Sequence, residues 1–153
     1  MHSQSGRTSP VYNPATGQVS GTLGLADEAE LNEAVRIASE AFRAWRATPL
    51  GRRAEILFKF RALIDENRDT IASMISAEHG KVHSDALGEL ARGLENVEFA
   101  CGIPQLLKGG FSEQAARGVD VYSIRQPLGV VAGITPFNLS LIHISEPTSL
   151  GML

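Results

Sequence analysis

Residues 126–138 read Gln-Pro-Leu-Gly-Val-Val-Ala-Gly-Ile-Thr-Pro-Phe-Asn, and this stretch decides the fold class. The short run of apolar and small residues from Val130 to Ile134 is typical of a parallel strand that is covered on both faces. The polar turn Thr135-Pro136-Phe137-Asn138 ends that run. Because ligands of open α/β sheets bind just beyond the carboxyl ends of strands, the segment predicts a buried strand with a ligand site at its end.

The residues before this segment predict a mainly helical region that opens with two short strands, at 11–13 and 19–25, around a Pro-Ala-Thr-Gly turn. Asp27 and Glu30 have the spacing of a capping box, which predicts a helix that begins there and runs to about residue 47. Apolar residues recur at helical spacing along it, so one face is expected to be buried. That face contains Leu31, Ala34, Val35, Ala38, Ala41, Phe42 and Trp45.

Three further helices are predicted. The first begins at Thr48-Pro49, with proline at the first helical position, and its apolar stripe consists of Ile56, Leu57, Phe60, Leu63 and Ile64. The second follows an interruption at Asn67 and Arg68 and ends at Gly80; it contains Ile71, Met74, Ile75 and Glu78 at helical spacing. The third spans 83–107, with glycines and Pro104 that predict a bend. Its buried face is expected to contain Leu87, Leu90, Ala91, Leu94, Val97 and Cys101. Alternation over 119–125 predicts a strand.

Composition limits the function classes. The 153 residues carry a net charge of −3 and no basic block, so no electrostatic footprint for nucleic acid is present. No apolar run approaches the ~20 residues that a membrane helix needs, and the first residues lack the apolar core of a signal peptide. The single cysteine excludes an intrachain disulfide and suits a cytoplasmic protein. No paired His or Cys spacing predicts a metal site.

Four segments together resemble the aldehyde dehydrogenase superfamily. They are Tyr12-Asn-Pro-Ala-Thr-Gly17, Glu78-His-Gly-Lys81, Arg92-Gly-Leu-Glu95 and 127–138. Their order and spacing fit the family over residues 8–138, and the Pro-Phe-Asn ending resembles the CoA-acylating methylmalonate-semialdehyde dehydrogenases. The resemblance implies an incomplete α/β fold, the N-terminal part of an aldehyde dehydrogenase. It would contain a helical N-terminal region and the first strand of a Rossmann-like NAD-binding sheet, with 119–126 in an oligomerisation hairpin.

The same resemblance implies the chemistry. Methylmalonate or malonate semialdehyde would be converted, with NAD and CoA, to propionyl-CoA or acetyl-CoA and CO2, in breakdown pathways such as those of valine or inositol. Ile134, Thr135, Pro136 and Phe137 would contact NAD, and Arg92 would hold the substrate carboxylate in a bidentate pair. The Asn138 amide would stabilise the charge that develops on the substrate oxygen. The whole enzyme would be a homo-oligomer, a dimer or a tetramer.

Each site residue also has a structural interpretation. Asn138 could satisfy a backbone group at the strand end, and Phe137 could be a core residue. Arg92 could pair with Glu89 or Glu95 on the helix surface. Cys101 is the only cysteine, but its place on an apolar helix face predicts an inert buried residue. The resemblance implies the same, because the nucleophile of the family lies far downstream. Neighbouring residues on a helix do not face one another, so Glu78-His-Gly-Lys81 predicts a structural helix end.

The last fifteen residues depart from the family pattern. Residues 139–148, Leu-Ser-Leu-Ile-His-Ile-Ser-Glu-Pro-Thr, resemble a one-frame translation of a transposase adapter used in sequencing libraries. We therefore expect 1–138 to be the natural part of the chain and 139–153 a non-native tail. His143, Ser145 and Glu146 should not be read as a catalytic triad. The chain alone lacks the nucleophilic cysteine and is expected to be inactive.

Two other functions remain open from the sequence. The chain could come from a non-acylating aldehyde dehydrogenase, for example one acting on succinate semialdehyde, although Phe137 and Arg92 argue against it. It could also be a non-enzymatic helical module that mediates interactions. A compact monomer with a cooperative thermal transition would favour that module.

Overall fold

The computed structural model describes residues 3–134, and the fold is reported for that part of the chain. Two antiparallel hairpins flank a helical core. The elements, in chain order, are β1 Thr8–Tyr12, β2 Val19–Gly24, α1 Glu28–Ala47, α2 Leu50–Glu66, α3 Arg68–His79, α4 His83–Cys101, α5 Ile103–Leu106, β3 Phe111–Ala116 and β4 Val119–Tyr122. Strand β1 pairs with β2, and β3 pairs with β4, each in its own two-stranded sheet. This is a mixed helix and strand arrangement, as predicted, but the predicted strand of a parallel sheet is not formed within residues 3–134.

The first hairpin and the start of α1 are present as predicted, although β1 begins at Thr8, three residues before the predicted start. Thr8 lies opposite Gly24, and the register shifts between Val11 and Tyr12. At the start of α1 the capping box is complete: the Glu30 backbone N–H donates to Asp27 Oδ1 over 2.9 Å, and the Asp27 N–H donates to Glu30 Oε2 over 3.2 Å. Two of the donors at the helix start are thereby satisfied, which explains why the helix begins there.

The predicted burial of α1 is wrong for the described residues. None of its side chains is buried, and Leu31, the first residue of the expected apolar face, is 61% exposed. The reason is that no described helix or strand packs along this face. Only Trp45, near the C-terminal end, packs against the hydrophobic core. The amphipathic pattern therefore predicts which face of α1 can be buried, but it does not predict which element covers that face.

The hydrophobic core lies between α2, α4 and α5. Its central cluster consists of Ala54, Leu57, Ala100, Cys101 and Ile103. On α2 the buried strip is narrower than predicted, because Leu57 is buried while Ile56 and Leu63 are exposed. An ion pair at the edge of this strip, between Arg61 Nη2 and Glu98 Oε1 at 2.8 Å, connects α2 to α4.

The helix boundaries follow local backbone chemistry. Pro49 is the N-cap residue of α2, one position after the predicted cap Thr48, because Thr48 still closes α1 through its N–H to the Trp45 carbonyl. Gly80 ends α3 in the left-handed conformation, with φ of 80°, as predicted. The predicted bend in the long helix is a break at Gly102, which separates α4 from α5.

The inward face of α4 differs from the predicted face. It consists of Ala86, Glu89, Leu90, Gly93, Val97, Ala100 and Cys101. Leu87 and Leu94 are only partly buried, and Ala91 is exposed. The face is rotated because α4 packs mainly against two helices, α2 and α3, and small residues such as Ala86 and Gly93 are buried on it. The prediction, which considered apolar residues alone, omitted Gly93 and Glu89, which are also buried on that face.

Two results concern strands. The strand predicted over 119–125 is present as β4, over the shorter range Val119–Tyr122, and it pairs in a hairpin as the resemblance implied; its partner β3 was not predicted. The strand predicted from Val130 to Ile134 is wrong as a structural statement: these residues are described, but they are not in a strand. A strand exists only when a neighbour accepts and donates its backbone hydrogen bonds, and none of the described strands lies beside this segment.

Gly109 is the position where the second hairpin meets the helical core. A Cβ atom at Gly109 would lie 1.7 Å from the Ser123 carbonyl oxygen, and the Ser123 N–H donates to the neighbouring Gly110 carbonyl over 2.9 Å. Gly109→Ala should therefore force the hairpin away and destabilise the chain by about 1–3 kcal/mol, as overpacking does. Hydrogen exchange at the Ser123 amide and denaturant unfolding measure this effect.

The matched control is Gly88→Ala in α4, where a Cβ atom would meet nothing within 4 Å. Replacing an exposed helix glycine by alanine should stabilise the chain by up to about 1 kcal/mol. Equal effects of the two substitutions on unfolding would contradict the described contact between Gly109 and Ser123.

Candidate functional site

Arg92 is the one predicted substrate contact that lies in a described helix. It is exposed on α4, next to buried Gly93. Neither of the two pairs offered by the structural interpretation is formed, because Arg92 has no ion pair among residues 3–134. The exposed guanidinium keeps its donors available, which is what bidentate recognition of a carboxylate requires.

Glu89, one helical turn before Arg92, has a different partner. Its side chain is buried on the inner face of α4, and its carboxylate accepts a hydrogen bond from Lys81 Nζ. Lys81 follows Gly80 at the end of α3, so the ion pair connects the α3–α4 turn to α4. The segment Glu78-His-Gly-Lys81 thus has the structural helix-end role that the sequence predicts, with Lys81 as its anchor.

The segment that was predicted to approach the cofactor runs past the C-terminal half of α1. The two line an apolar groove of 260 Å³, whose walls are Ala38, Ala41, Phe42, Trp45, Gly129, Val130 and Val131. Gly129 has φ of 107°, a conformation that favours glycine, and it forms part of the groove wall. Val130 and Val131 remain partly open to solvent beside it. Residues 129–131 therefore lie beside the C-terminal half of α1.

Ile134 is the last described residue and the only predicted cofactor contact that the structure places. Its side chain is 100% exposed. A fully exposed isoleucine presents an apolar surface that a ring or another chain segment can cover. Thr135, Pro136, Phe137 and Asn138, the remaining predicted cofactor and catalytic residues, lie outside the described residues, and so does the proposed tail at 139–153. Their roles stay predictions.

Cys101 is placed as predicted, in the core cluster beside Leu57 and Ile103. Desolvation by burial, and then the nearby Glu98 carboxylate, raise the pKa of its thiol. A raised pKa disfavours the thiolate, which is the nucleophilic form. The burial and the protonated state both fit a packing role and oppose a catalytic one.

Within 3–134, no group of three or more His, Cys, Asp or Glu side chains is arranged to hold a metal ion. No described helix combines the length and apolar character required to cross a membrane.

The sequence analysis missed the Lys81–Glu89 pair, although a signal for it was present. Glu89 lies three residues after Ala86 and four before Gly93, so it falls on the inner face of α4. A carboxylate in the middle of a buried helix face requires a cationic partner. The nearest lysine along the chain is Lys81, eight positions earlier.

The sequence profile of the aldehyde dehydrogenase family matches residues 1–150. A malonate-semialdehyde dehydrogenase of Pseudomonas aeruginosa is 48% identical over 138 residues, which cover 90% of this chain and 28% of that protein. The chain thus spans less than a third of the length of the relatives that it matches.

Solved structures give the same result. The Sinorhizobium meliloti 1021 protein assigned as a methylmalonate-semialdehyde dehydrogenase, complexed with NAD, is similar with a TM-score of 0.86 at 49% identity, over 93% of this chain and 29% of that chain. The methylmalonate-semialdehyde dehydrogenase of Oceanimonas doudoroffii has a TM-score of 0.86 at 46% identity, with the same coverage.

Proposed function

Because the chain belongs to the aldehyde dehydrogenase family, we propose that it is the N-terminal part of an NAD-dependent, CoA-acylating methylmalonate-semialdehyde dehydrogenase. The observation that carries the proposal is the identity of 48% to a malonate-semialdehyde dehydrogenase. The similarity to an NAD complex supports the choice of cofactor. The whole enzyme would convert methylmalonate or malonate semialdehyde with CoA to propionyl-CoA or acetyl-CoA and CO2.

Arg92 is the residue that we assign to the substrate carboxylate. Its guanidinium is exposed and makes no ion pair with described residues, so a substrate carboxylate meets no competing partner there. A bidentate pair orients the substrate as well as attracting it, because the planar fork matches the two carboxylate oxygens. A neutral aldehyde would gain nothing from this contact, and Arg92 would thereby contribute to specificity.

The exposed apolar side chain of Ile134 fits a contact with NAD, together with the turn Thr135-Pro136-Phe137. When bound, NAD supplies the acceptor for the hydride. Asn138 would donate its amide N–H groups to the oxygen that becomes charged when a cysteine thiolate attacks the aldehyde. Loss of one such donor typically lowers kcat about 100- to 1000-fold. The attacking cysteine would come from the rest of the enzyme, since Cys101 is buried.

The proposal also covers the domain organisation and the assembly of the enzyme. Residues 1–138 would be the N-terminal part of the NAD-binding domain, and 139–153 a non-native tail. Within 119–126, β4 would take part in oligomerisation; the exposed Val121 and Tyr122 side chains of the hairpin support this. The enzyme would be a cytoplasmic homo-oligomer that acts on a small aldehyde and binds neither nucleic acid nor a membrane.

The test uses the genomic DNA beyond the Asn138 codon. We expect the reading frame to continue into a full-length enzyme, meaning the protein encoded by that continued frame. The purified full-length enzyme should reduce NAD with malonate semialdehyde and form acetyl-CoA only when CoA is present, because CoA accepts the acyl group. The Pseudomonas aeruginosa relative, assayed in parallel, is the reference. NADH formation that yields a free acid and ignores CoA would contradict the acylating assignment and favour the non-acylating alternative.

Substitution of Arg92 tests its role in the full-length enzyme. Arg92→Gln should raise KM for malonate semialdehyde about 10- to 100-fold, the range expected for losing a charge-assisted hydrogen-bond pair. KM for propanal, which has no carboxylate, should not change. Arg43→Gln, at an exposed position of α1, is the matched control. A parallel loss with both aldehydes would show that Arg92 does not contact the carboxylate.

A further inference from the structure

Glu89 is an unusual residue on the inner face of α4. It is 3% exposed, and the buried residues around it on the helix are Ala86, Leu90 and Gly93. Burying a carboxylate without a partner is expensive, so such a group is paired with a cation wherever one is within reach. In this structure that cation is Lys81, whose own side chain is only 16% exposed.

The backbone explains why Lys81 can reach Glu89. Gly80 has φ of 80°, a left-handed conformation that ends α3 and reverses the chain. Lys81 therefore comes back alongside α4, and its Nζ donates to Glu89 Oε2. A residue with a Cβ at position 80 would be strained in this conformation, which makes Gly80 part of the arrangement.

Arg92 is the other cation close to Glu89. Residues three apart on a helix have Cβ atoms about 5–6 Å from each other, so Arg92 could reach the Glu89 carboxylate. It does not, and it makes no ion pair with any residue in 3–134. Glu95 lies at the same spacing on the other side but is exposed, and pairs in solvent are weak. Glu89 is therefore the strongest potential competitor for the Arg92 guanidinium.

We propose that Lys81 is a positioning residue for Arg92: by pairing with buried Glu89, it leaves the Arg92 guanidinium available to the carboxylate of a semialdehyde substrate. The substrate part of this inference rests on the proposed function, whereas the arrangement of the three side chains does not. Lys81 touches no reacting atom. Its effect is electrostatic and acts through Glu89, which would otherwise pair with Arg92 or attract it away from the substrate.

A purely structural role of the pair gives a different expectation. If the Lys81–Glu89 pair only fastened the α3–α4 turn, its loss would lower stability and leave the chemical reactivity of Arg92 unchanged relative to other arginines. Phenylglyoxal modifies free guanidines faster than ion-paired ones, so the reactivity of Arg92 toward it distinguishes a positioning role of Lys81 from a purely structural one. Arg36, held by Glu33 and Glu40 at 2.6 Å, is the internal reference for a paired arginine.

The experiment labels the 153-residue chain with phenylglyoxal and follows each arginine by peptide mass spectrometry. In the native chain, Arg92 should react faster than Arg36. In Lys81→Met the Arg92 rate should fall about fivefold or more, as expected for a pair with a buried carboxylate, and Arg36 should not change. Lys81→Arg, which retains a cation, should behave like the native chain. Lys81→Met combined with Glu89→Gln should restore the native rate.

If Lys81→Met unfolds, Arg61, which is paired with Glu98 in the folded chain, will label as fast as Arg92. In that case Lys81→Gln, which retains a hydrogen-bond donor but no charge, is used instead of Lys81→Met, and the Arg92 labelling rate should fall in the same way. An unchanged Arg92 rate in whichever variant folds overturns the proposal.

The full-length enzyme provides the second readout. Lys81→Met should raise KM for malonate semialdehyde about tenfold and leave KM for propanal unchanged. Adding Glu89→Gln to Lys81→Met should return KM for malonate semialdehyde to the native value. If the labelling changes as expected but KM does not, Arg92 has no contact with substrate, and that part of the proposed function fails while the pairing stands. If labelling is unchanged, the positioning role fails regardless of the enzyme's activity.

Discussion

One constraint governs the cofactor side of this chain: a strand of a parallel sheet must be hydrogen-bonded to a neighbour and covered on its faces. Val130 to Ile134 have the composition of such a strand, yet no described strand lies beside them. The side chain of Ile134 is accordingly fully exposed. Much of the apolar face of α1 is exposed for the same reason, since no described helix or strand packs along it. Both surfaces fit the proposal that the rest of an aldehyde dehydrogenase covers them.

The helical core satisfies its own requirements. Helix α4 packs against α2, α3 and α5, and the core cluster closes around Leu57 and Ile103. At the other end of α4, the buried Glu89 carboxylate is matched by Lys81. The proposed substrate residue, Arg92, thus projects from a helix that packing and an ion pair both hold. A residue that must orient a substrate benefits from such a rigid support.

The features that could be predicted from the sequence depend on local chemistry. The capping box at Asp27, the left-handed end at Gly80 and the break at Gly102 are all decided by residues within a few positions. The features that could not be predicted depend on distant partners. Burial of α1 requires an element to cover it, a strand over 130–134 requires a neighbour, and the burial of Glu89 depends on how α4 is rotated against α2 and α3. The family resemblance supplied the site residues, of which Arg92 and Ile134 are described.

Calorimetric titration with NAD tests the central claim most directly, because the claim is that this chain contributes only one side of a nicotinamide pocket. The 153-residue chain should show no saturable heat at NAD concentrations up to about 1 mM, whereas the full-length enzyme should bind with micromolar affinity. Micromolar binding of NAD by the 153-residue chain alone would contradict the account.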